Sequence, residues 1–247
     1  MHRLGHTRSV RQPDHLLLTP DTFVHAPLPG MQKATAAVHV SPAMGARFTE
    51  YTAEIEPGGS YASPGGIQRF FYVVEGELAV AAGGEEYTLL PGDYCYFANA
   101  TPACLSARDA ARAAVIEKPY QPLDKLPPPV LVGRETDVPG QPLMDDAALT
   151  VRPLLPDDSA FDFAVNTMTF QPGAALPMVE IHVMEHGLLM LAGGGVYRLG
   201  ESWYPVLAGD FIWMAPYCPQ WFGALGKKAA KYLIYKDWNR HPLTAVI

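Results

Sequence analysis

Apolar residues along this chain fall in short runs in which apolar and polar positions alternate. Phe161-Asp162-Phe163-Ala164-Val165 and Val179-Glu180-Ile181-His182-Val183 place successive side chains on opposite sides of an extended backbone. No run keeps apolar residues at helical spacing for long enough to make a major helix. The pattern predicts an all-β protein of short strands joined by tight turns.

The strands recur. Val73-Val74-Glu75-Gly76-Glu77-Leu78 and Tyr87-Thr88-Leu89-Leu90-Pro91-Gly92-Asp93-Tyr94 read as a strand, a turn, and a second strand at a Pro-Gly-Asp turn. Met190-Leu191-Ala192-Gly193 and Tyr204-Pro205-Val206-Leu207-Ala208-Gly209-Asp210-Phe211 repeat that layout. Gly76 to Gly193, Tyr87 to Tyr204 and Gly92 to Gly209 all share an offset of 117 residues, and a duplicated unit predicts a duplicated fold. Between the copies, Pro119 to Pro142 holds seven prolines and little periodicity, which reads as a linker. The expected division is residues 1–118 for an N-terminal barrel with an N-terminal arm, 119–150 for a Pro-rich linker, and 151–247 for a C-terminal barrel. Each copy suits a small barrel or jelly roll, because closing the sheet removes exposed edges.

Composition narrows the function. The 24 Pro and 22 Gly among 247 residues exceed the average share of about 12%, as a turn-rich fold requires. A net charge of −7 argues against a nucleic-acid partner, which needs a basic surface. The polar stretch Met1 to Val10 has no apolar signal region and no segment has the length of a membrane span, so the expectation is a cytoplasmic protein without a membrane partner. Cys95, Cys104 and Cys218 are scattered and odd in number, which suggests reduced core thiols.

On a strand, Glu180 and His182 share one face. His186 follows past the start of a turn, and Gln220 lies eleven residues beyond Gly209 on a later hairpin. A carboxylate, two imidazoles and an amide oxygen form a donor set for Mn, Fe, Ni or Zn with coordination positions left open. The plainer alternative makes His182 and His186 ordinary polar residues at a sheet edge. Apart from these two and His241, the eight His lie within the first 39 residues, so this pair stands alone in the expected barrel interiors.

Gly173 through Glu180-Ile181-His182, His186 and Gly193 is similar to the first cupin motif, and Gly209 to Gln220 to the second. The ligand order is permuted: Glu180 stands where a His is usual, His186 where a Glu is usual, and Gln220 where the last His is usual. With Leu18-Thr19-Pro20-Asp21, Glu185-His186-Gly187, Gly195-Val196-Tyr197 and Tyr235-Lys236-Asp237-Trp238-Asn239-Arg240, the chain resembles the bicupin family of (S)-ureidoglycine aminohydrolases. That resemblance implies two tandem cupin β-barrels of the double-stranded β-helix type, with one Mn2+ per chain on Glu180, His182, His186 and Gln220. It also implies hydrolysis of a small anionic ureido substrate, (S)-ureidoglycine, to (S)-ureidoglycolate and ammonia in purine catabolism. By analogy with the family, Tyr197, Tyr232 and Lys236 are singled out as catalytic. Tyr232 and Lys236 share parity on the last strand, although a solvated strand-end lysine and core tyrosines fit the same positions. Glu185 reads either as a support behind the ligands or as a surface residue.

The 117-residue offset carries the ligand positions back onto Ser63, Gly65, Arg69 and Ala103, so the first barrel is expected to be metal-free. An Fe(II) cupin dioxygenase and a non-catalytic binding cupin are the competing readings. A homo-oligomer of unspecified number is expected.

Overall fold

A computed structural model describes residues 6–63 and 65–240, and His241 lies outside them. Among the described residues the regular structure is strand apart from three short 3-10 turns, Pro20–Thr22, Pro42–Met44 and Glu135–Asp137. The all-β expectation holds, and no helix is long and apolar enough to cross a membrane.

The chain divides into two units. The N-terminal unit comprises Val24–Pro139 and Pro156–Asp162. Its sheet runs, in spatial order, Val130–Arg134, Asp93–Phe97, Gln68–Glu75, Ala111–Lys118, Thr49–Ser63, Ala103–Ser106, Leu78–Ala82 and Glu85–Leu89, with all pairs antiparallel. Alternation does what the pattern predicts. In Leu78–Ala82, Leu78, Val80 and Ala82 are buried while Ala79 and Ala81 are exposed, and the buried set joins Tyr51, Phe71, Phe97 and Val115 in one core.

The C-terminal unit takes the arm up to Phe23, then Gly140–Leu155, then the chain from Phe163 onward. Its larger sheet runs Val10–Arg11, His15–Leu18, Phe211–Met214, His186–Ala192, Ala230–Asp237, Phe163–Phe170, Asp146–Pro153 and Gln141–Leu143. A smaller one runs Ser202–Leu207, Gly194–Leu199 and Gln220–Ala224. Leu17, Met168, Leu188, Ile212 and Tyr232 from the first meet Tyr197, Leu199, Val206 and Phe222 from the second in one core. Two facing sheets thus bury each other's apolar sides, each fully buried large side chain contributing about 1.5–3 kcal/mol.

The repeated turns have a shared cause. Gly76 (φ 75°) and Gly193 (φ 67°) lie in the left-handed region that favours glycine. A Cβ on either would strike a backbone carbonyl, that of Ala110 or Ala229. In the two Pro/Ala-Gly-Asp turns, Asp93 Oδ2 accepts from Leu90 N–H at 2.9 Å and Asp210 Oδ2 from Leu207 N–H at 2.8 Å. Each aspartate also binds an arginine from a sequence-distant segment, Asp93 with Arg134 at 2.7 Å and Asp210 with Arg8 at 2.9 Å.

Several boundaries differ from those read in the sequence. Residues 1–118, 119–150 and 151–247 do not delimit the two units, since the arm adds its strand His15–Leu18 to Phe211–Met214 of the C-terminal unit. The Pro-rich linker is not structureless: Val130–Arg134 pairs with Asp93–Phe97. Phe161 and Asp162 precede the strand that begins at Phe163. Cys95 and Cys218 are buried thiols, but Cys104 is exposed on an outward-facing position.

Candidate functional site

The four proposed ligands gather at one end of the C-terminal unit, by a route that differs from a continuous strand. Glu180 forms a lone bridge with Gln220, each donating its N–H to the other's carbonyl at 2.8 and 2.9 Å. Residues 181–185 lie outside any strand, and His186 opens the strand His186–Ala192 rather than lying past a turn. The Tyr217 N–H donates to the His182 carbonyl at 2.7 Å and anchors this irregular segment. Glu180 Oε2 lies 3.2 Å from His182 Nε2, and the His182 and His186 rings are 5.1 Å apart, edge to face.

The remaining polar groups come from paired strands. His186 is opposite Lys236 in register, and Met190 is opposite Tyr232. Phe222 packs against both Tyr197 (5.5 Å) and Tyr232 (5.7 Å), fixing where their hydroxyls point. The Tyr197 hydroxyl donates to Gln220 Oε1 at 3.3 Å, and a further hydrogen bond joins it to Tyr232. The two tyrosines are therefore core aromatics whose hydroxyls face the site rather than solvent; each is 1% exposed. Lys236 is partly buried, which removes the solvated strand-end reading. Glu185 is buried and accepts from Trp213 Nε1 at 3.0 Å, so it is not a surface residue.

Burial sets the protonation states. It drives His186 well below the ordinary histidine value, assisted by the charges of Lys236 and His182, so this ring is the neutral form that ligates metal. His186 Nδ1 is buried and makes no hydrogen bond of good geometry among the described residues, although the Tyr235 and Glu185 backbone lies close enough to the ring to oppose its downward shift. Burial also raises Tyr197 and Tyr232 far above the usual phenol value, with the charge of Glu180 contributing to both. Lys236 is lowered by desolvation, against the opposing pull of Glu180. By chemistry these residues suit a divalent cation: Glu180 meets His182, the His182 and His186 rings are in contact, and Gln220 bridges Glu180, which brings a carboxylate, two imidazoles and an amide into one neighbourhood.

A tighter His/Cys/Asp cluster lies nearby, with Asp14, His15 and Cys218 donor atoms all within 4.8 Å of one another. It fits a metal less well. Both His15 nitrogens are already occupied, Nδ1 by Asp14 at 2.8 Å and Nε2 by the Tyr204 hydroxyl at 2.9 Å. Burial, with the charge of Asp14 second, pushes the Cys218 thiol up to about 11. We read the cluster as a hydrogen-bonded post that seats the arm. It also corrects the view that His182 and His186 stand alone: His15 pairs with Met214, which pairs with His186.

In the N-terminal unit the equivalent positions are occupied differently. Ser63 is paired with Ala103 as Glu180 is with Gln220. Arg69 is paired with Glu117 as His186 is with Lys236. Arg69 Nε donates to Glu117 Oε1 at 2.6 Å, and the Tyr51 hydroxyl donates to the same oxygen at 2.8 Å.

Two duplicated antiparallel units, one with a histidine-carboxylate centre between its sheets, define a two-domain cupin. Residues 43–120 match the EutQ-like cupin domain family. The chain is 42% identical to an (S)-ureidoglycine aminohydrolase of Arabidopsis thaliana, over 97% of this chain and 80% of that one. It is 32% identical to an (S)-ureidoglycine aminohydrolase of Escherichia coli, over 96% and 93% of the two chains. The crystal structure of protein Ylba from E. coli superposes with a TM-score of 0.85 at 27% identity, covering 97% of this chain and 98% of that one. The chain belongs to the (S)-ureidoglycine aminohydrolase family.

Proposed function

We propose that this protein hydrolyses (S)-ureidoglycine to (S)-ureidoglycolate and ammonia, using one divalent cation, Mn2+ by family resemblance, held by Glu180, His182, His186 and Gln220. The observation that carries the reading is the meeting of Glu180, His182 and His186 at one barrel end, with Lys236 beside His186 in register. In the reaction the bond from the central carbon to the amino nitrogen breaks. A bond to a water oxygen forms, and a water proton leaves with the amine. When bound, the ion supplies a positive anchor for the substrate carboxylate and polarises the groups it touches.

The chain's own residues divide the remaining work. Tyr197 and Tyr232 stay neutral phenols because burial opposes their ionisation; Tyr232 donates to the Tyr197 hydroxyl, which donates to Gln220 Oε1, so the pair works by setting the direction of the Gln220 amide. Lys236 is the group whose protonation burial brings toward the working range, and its ammonium suits the substrate carboxylate or the departing amine. Glu185, held by Trp213, precedes His186 and keeps its strand in place. The N-terminal unit is read as metal-free, because a hydroxyl, a methyl and an arginine occupy the matching positions.

The test is ammonia release from freshly generated (S)-ureidoglycine by Mn-loaded and chelated protein, with oxygen uptake followed in parallel. Turnover that needs the metal and not oxygen is expected, and allantoate, which has no free amine on that carbon, should be untouched. Lys236→Met should keep the metal and lose about 10²- to 10⁴-fold in kcat/KM, the usual worth of a general acid or base. Oxygen-dependent activity, or a Lys236→Met enzyme of wild-type efficiency, would refute the corresponding part of the reading.

A further inference from the structure

Among the described residues Lys236 has no carboxylate within ion-pair distance, the partner that a buried lysine ordinarily requires. The charge that acts on it, that of Glu180, does so through space and not by an ion pair. The neighbouring strand supplies a different partner. Phe163–Phe170 pairs with Ala230–Asp237 so that Ala164 is opposite Lys236 and Asn166 opposite Ile234. Asn166 shares parity with Met168 and Phe170, both in the core, so its side chain points inward, diagonal to Lys236 and 9% exposed. The carboxamide orientation that satisfies both its ends puts Oδ1 3.2 Å from Lys236 Nζ and Nδ2 3.1 Å from the Val165 carbonyl.

We propose that Asn166 is a positioning residue for the reaction: its neutral carboxamide aims the Lys236 ammonium at the substrate without cancelling its charge. The inference rests on the reading of Lys236 as the residue that meets substrate. An ammonium has three N–H donors and the carboxamide takes one, which leaves two for a carboxylate or a leaving nitrogen. A carboxylate at position 166 would hold the ammonium as firmly, but would neutralise it against an anionic substrate. The Val165 carbonyl fixes the carboxamide, so its aim is set by the backbone of the strand. The asymmetry between a neutral and a charged acceptor of equal size is what the experiment reads.

Asn166→Ala and the nearly isosteric Asn166→Asp are compared with the Mn-loaded wild type for ammonia release. The Lys236 Cε resonance is followed in 13Cε-lysine-labelled protein, assigned by its loss in Lys236→Met. Asn166→Ala is expected to lower kcat about 10- to 100-fold, the loss of one hydrogen bond to a charged group, while KM stays within about threefold and the resonance sharpens as the side chain is freed. Asn166→Asp should keep the resonance ordered yet raise KM by about tenfold or more, because charge and not order has been lost. Equal losses in both variants that track a falling melting temperature would make Asn166 merely structural and overturn the proposal. So would unchanged kinetics and an unchanged resonance in Asn166→Ala. Wild-type protein that releases no ammonia would sink the activity reading instead, and the resonance would still decide whether Asn166 holds Lys236.

Discussion

The two units solve the same packing problem with opposite chemistry. In the N-terminal one, the cross-strand pair Ser63 and Ala103 is small and uncharged, and Arg69, Glu117, Tyr51 and Tyr61 close on one another. In the C-terminal one, the matching pair is Glu180 and Gln220, and the place of the Arg69–Glu117 pair is taken by His186 and Lys236. The arginine carries its counter-charge with it, so the charges of the first network are paired with each other, while the Ser63 hydroxyl has no partner among the described residues. The second leaves the His186 Nδ1 without a hydrogen bond of good geometry among the described residues, and its ammonium is held by an uncharged amide. A barrel end whose charges neutralise each other is a structural plug, whereas one that leaves an ammonium without a counter-charge is a site.

The strongest way to break this comparison is His182→Ala. His182 is 35% exposed on its side chain and bonded to Glu180, so its loss should spare the fold while removing a ligand. Metal content, close to one ion per chain in the wild type, should fall to near zero, and ammonia release should fall by about 10³-fold or more. Elemental analysis finding two ions in the wild type would show that the first barrel also binds metal and that the contrast is wrong.

A subtler break removes the plug. Arg69→Met leaves the partly buried Glu117 with two tyrosine donors and no cation, and removing one partner of a largely buried pair costs up to about 3 kcal/mol. Urea unfolding should register that loss. Metal content and kcat/KM of the folded fraction should stay within about twofold of wild type, because Arg69 belongs to the other unit. A change in metal affinity would mean that the N-terminal barrel acts on the site after all.

What the sequence made legible follows from how local each signal is. The offset of 117 residues was readable because the Gly76 and Gly193 turns and the Asp93 and Asp210 turns impose residue types within a few positions. His182 and His186 were readable by spacing, and Gln220 by its distance from Gly209. The arm was not, since nothing near His15 announces that it will lie beside Met214. Val130–Arg134 was hidden by surrounding prolines, which dominate a composition window although the strand between them is free of proline. Glu180 met its partner by a lone bridge in irregular backbone, so period-two reasoning found the right face for a segment that is not a strand. Asn166 was missed because its meaning lies wholly in cross-strand pairing. An inward-facing polar residue between Met168 and Ala164 was the signal available, and it becomes informative only once Lys236 is known to stand diagonal to it.

The smallest expected effect sharpens the comparison through pH. His39, in the N-terminal unit, is 1% exposed and donates to or accepts from the Thr52 hydroxyl at 2.8 Å. Burial, with the charge of His25 second, lowers it to about 3. The unfolded chain takes up a proton near pH 6.5 that the folded chain refuses until about pH 3. Below pH 6.5 the unfolded state therefore binds more protons, and stability is lost as pH falls, by about 1.4 kcal/mol per unit for this one group. The contribution is fully present above pH 6.5. His186 has the same sign in the C-terminal unit, but there a bound cation competes with the proton for the ring, so added metal should relieve acid destabilisation of that unit alone. His39→Gln keeps a hydrogen-bonding group next to Thr52 and cannot titrate. Urea melts at pH 5 and pH 7 should therefore show a stability difference about 2 kcal/mol smaller in the variant than in the wild type, in the presence or absence of metal. An unchanged difference would mean that His39 is solvated or protonated in the native state, and that the face of the sheet it shares with Thr52 is open to water.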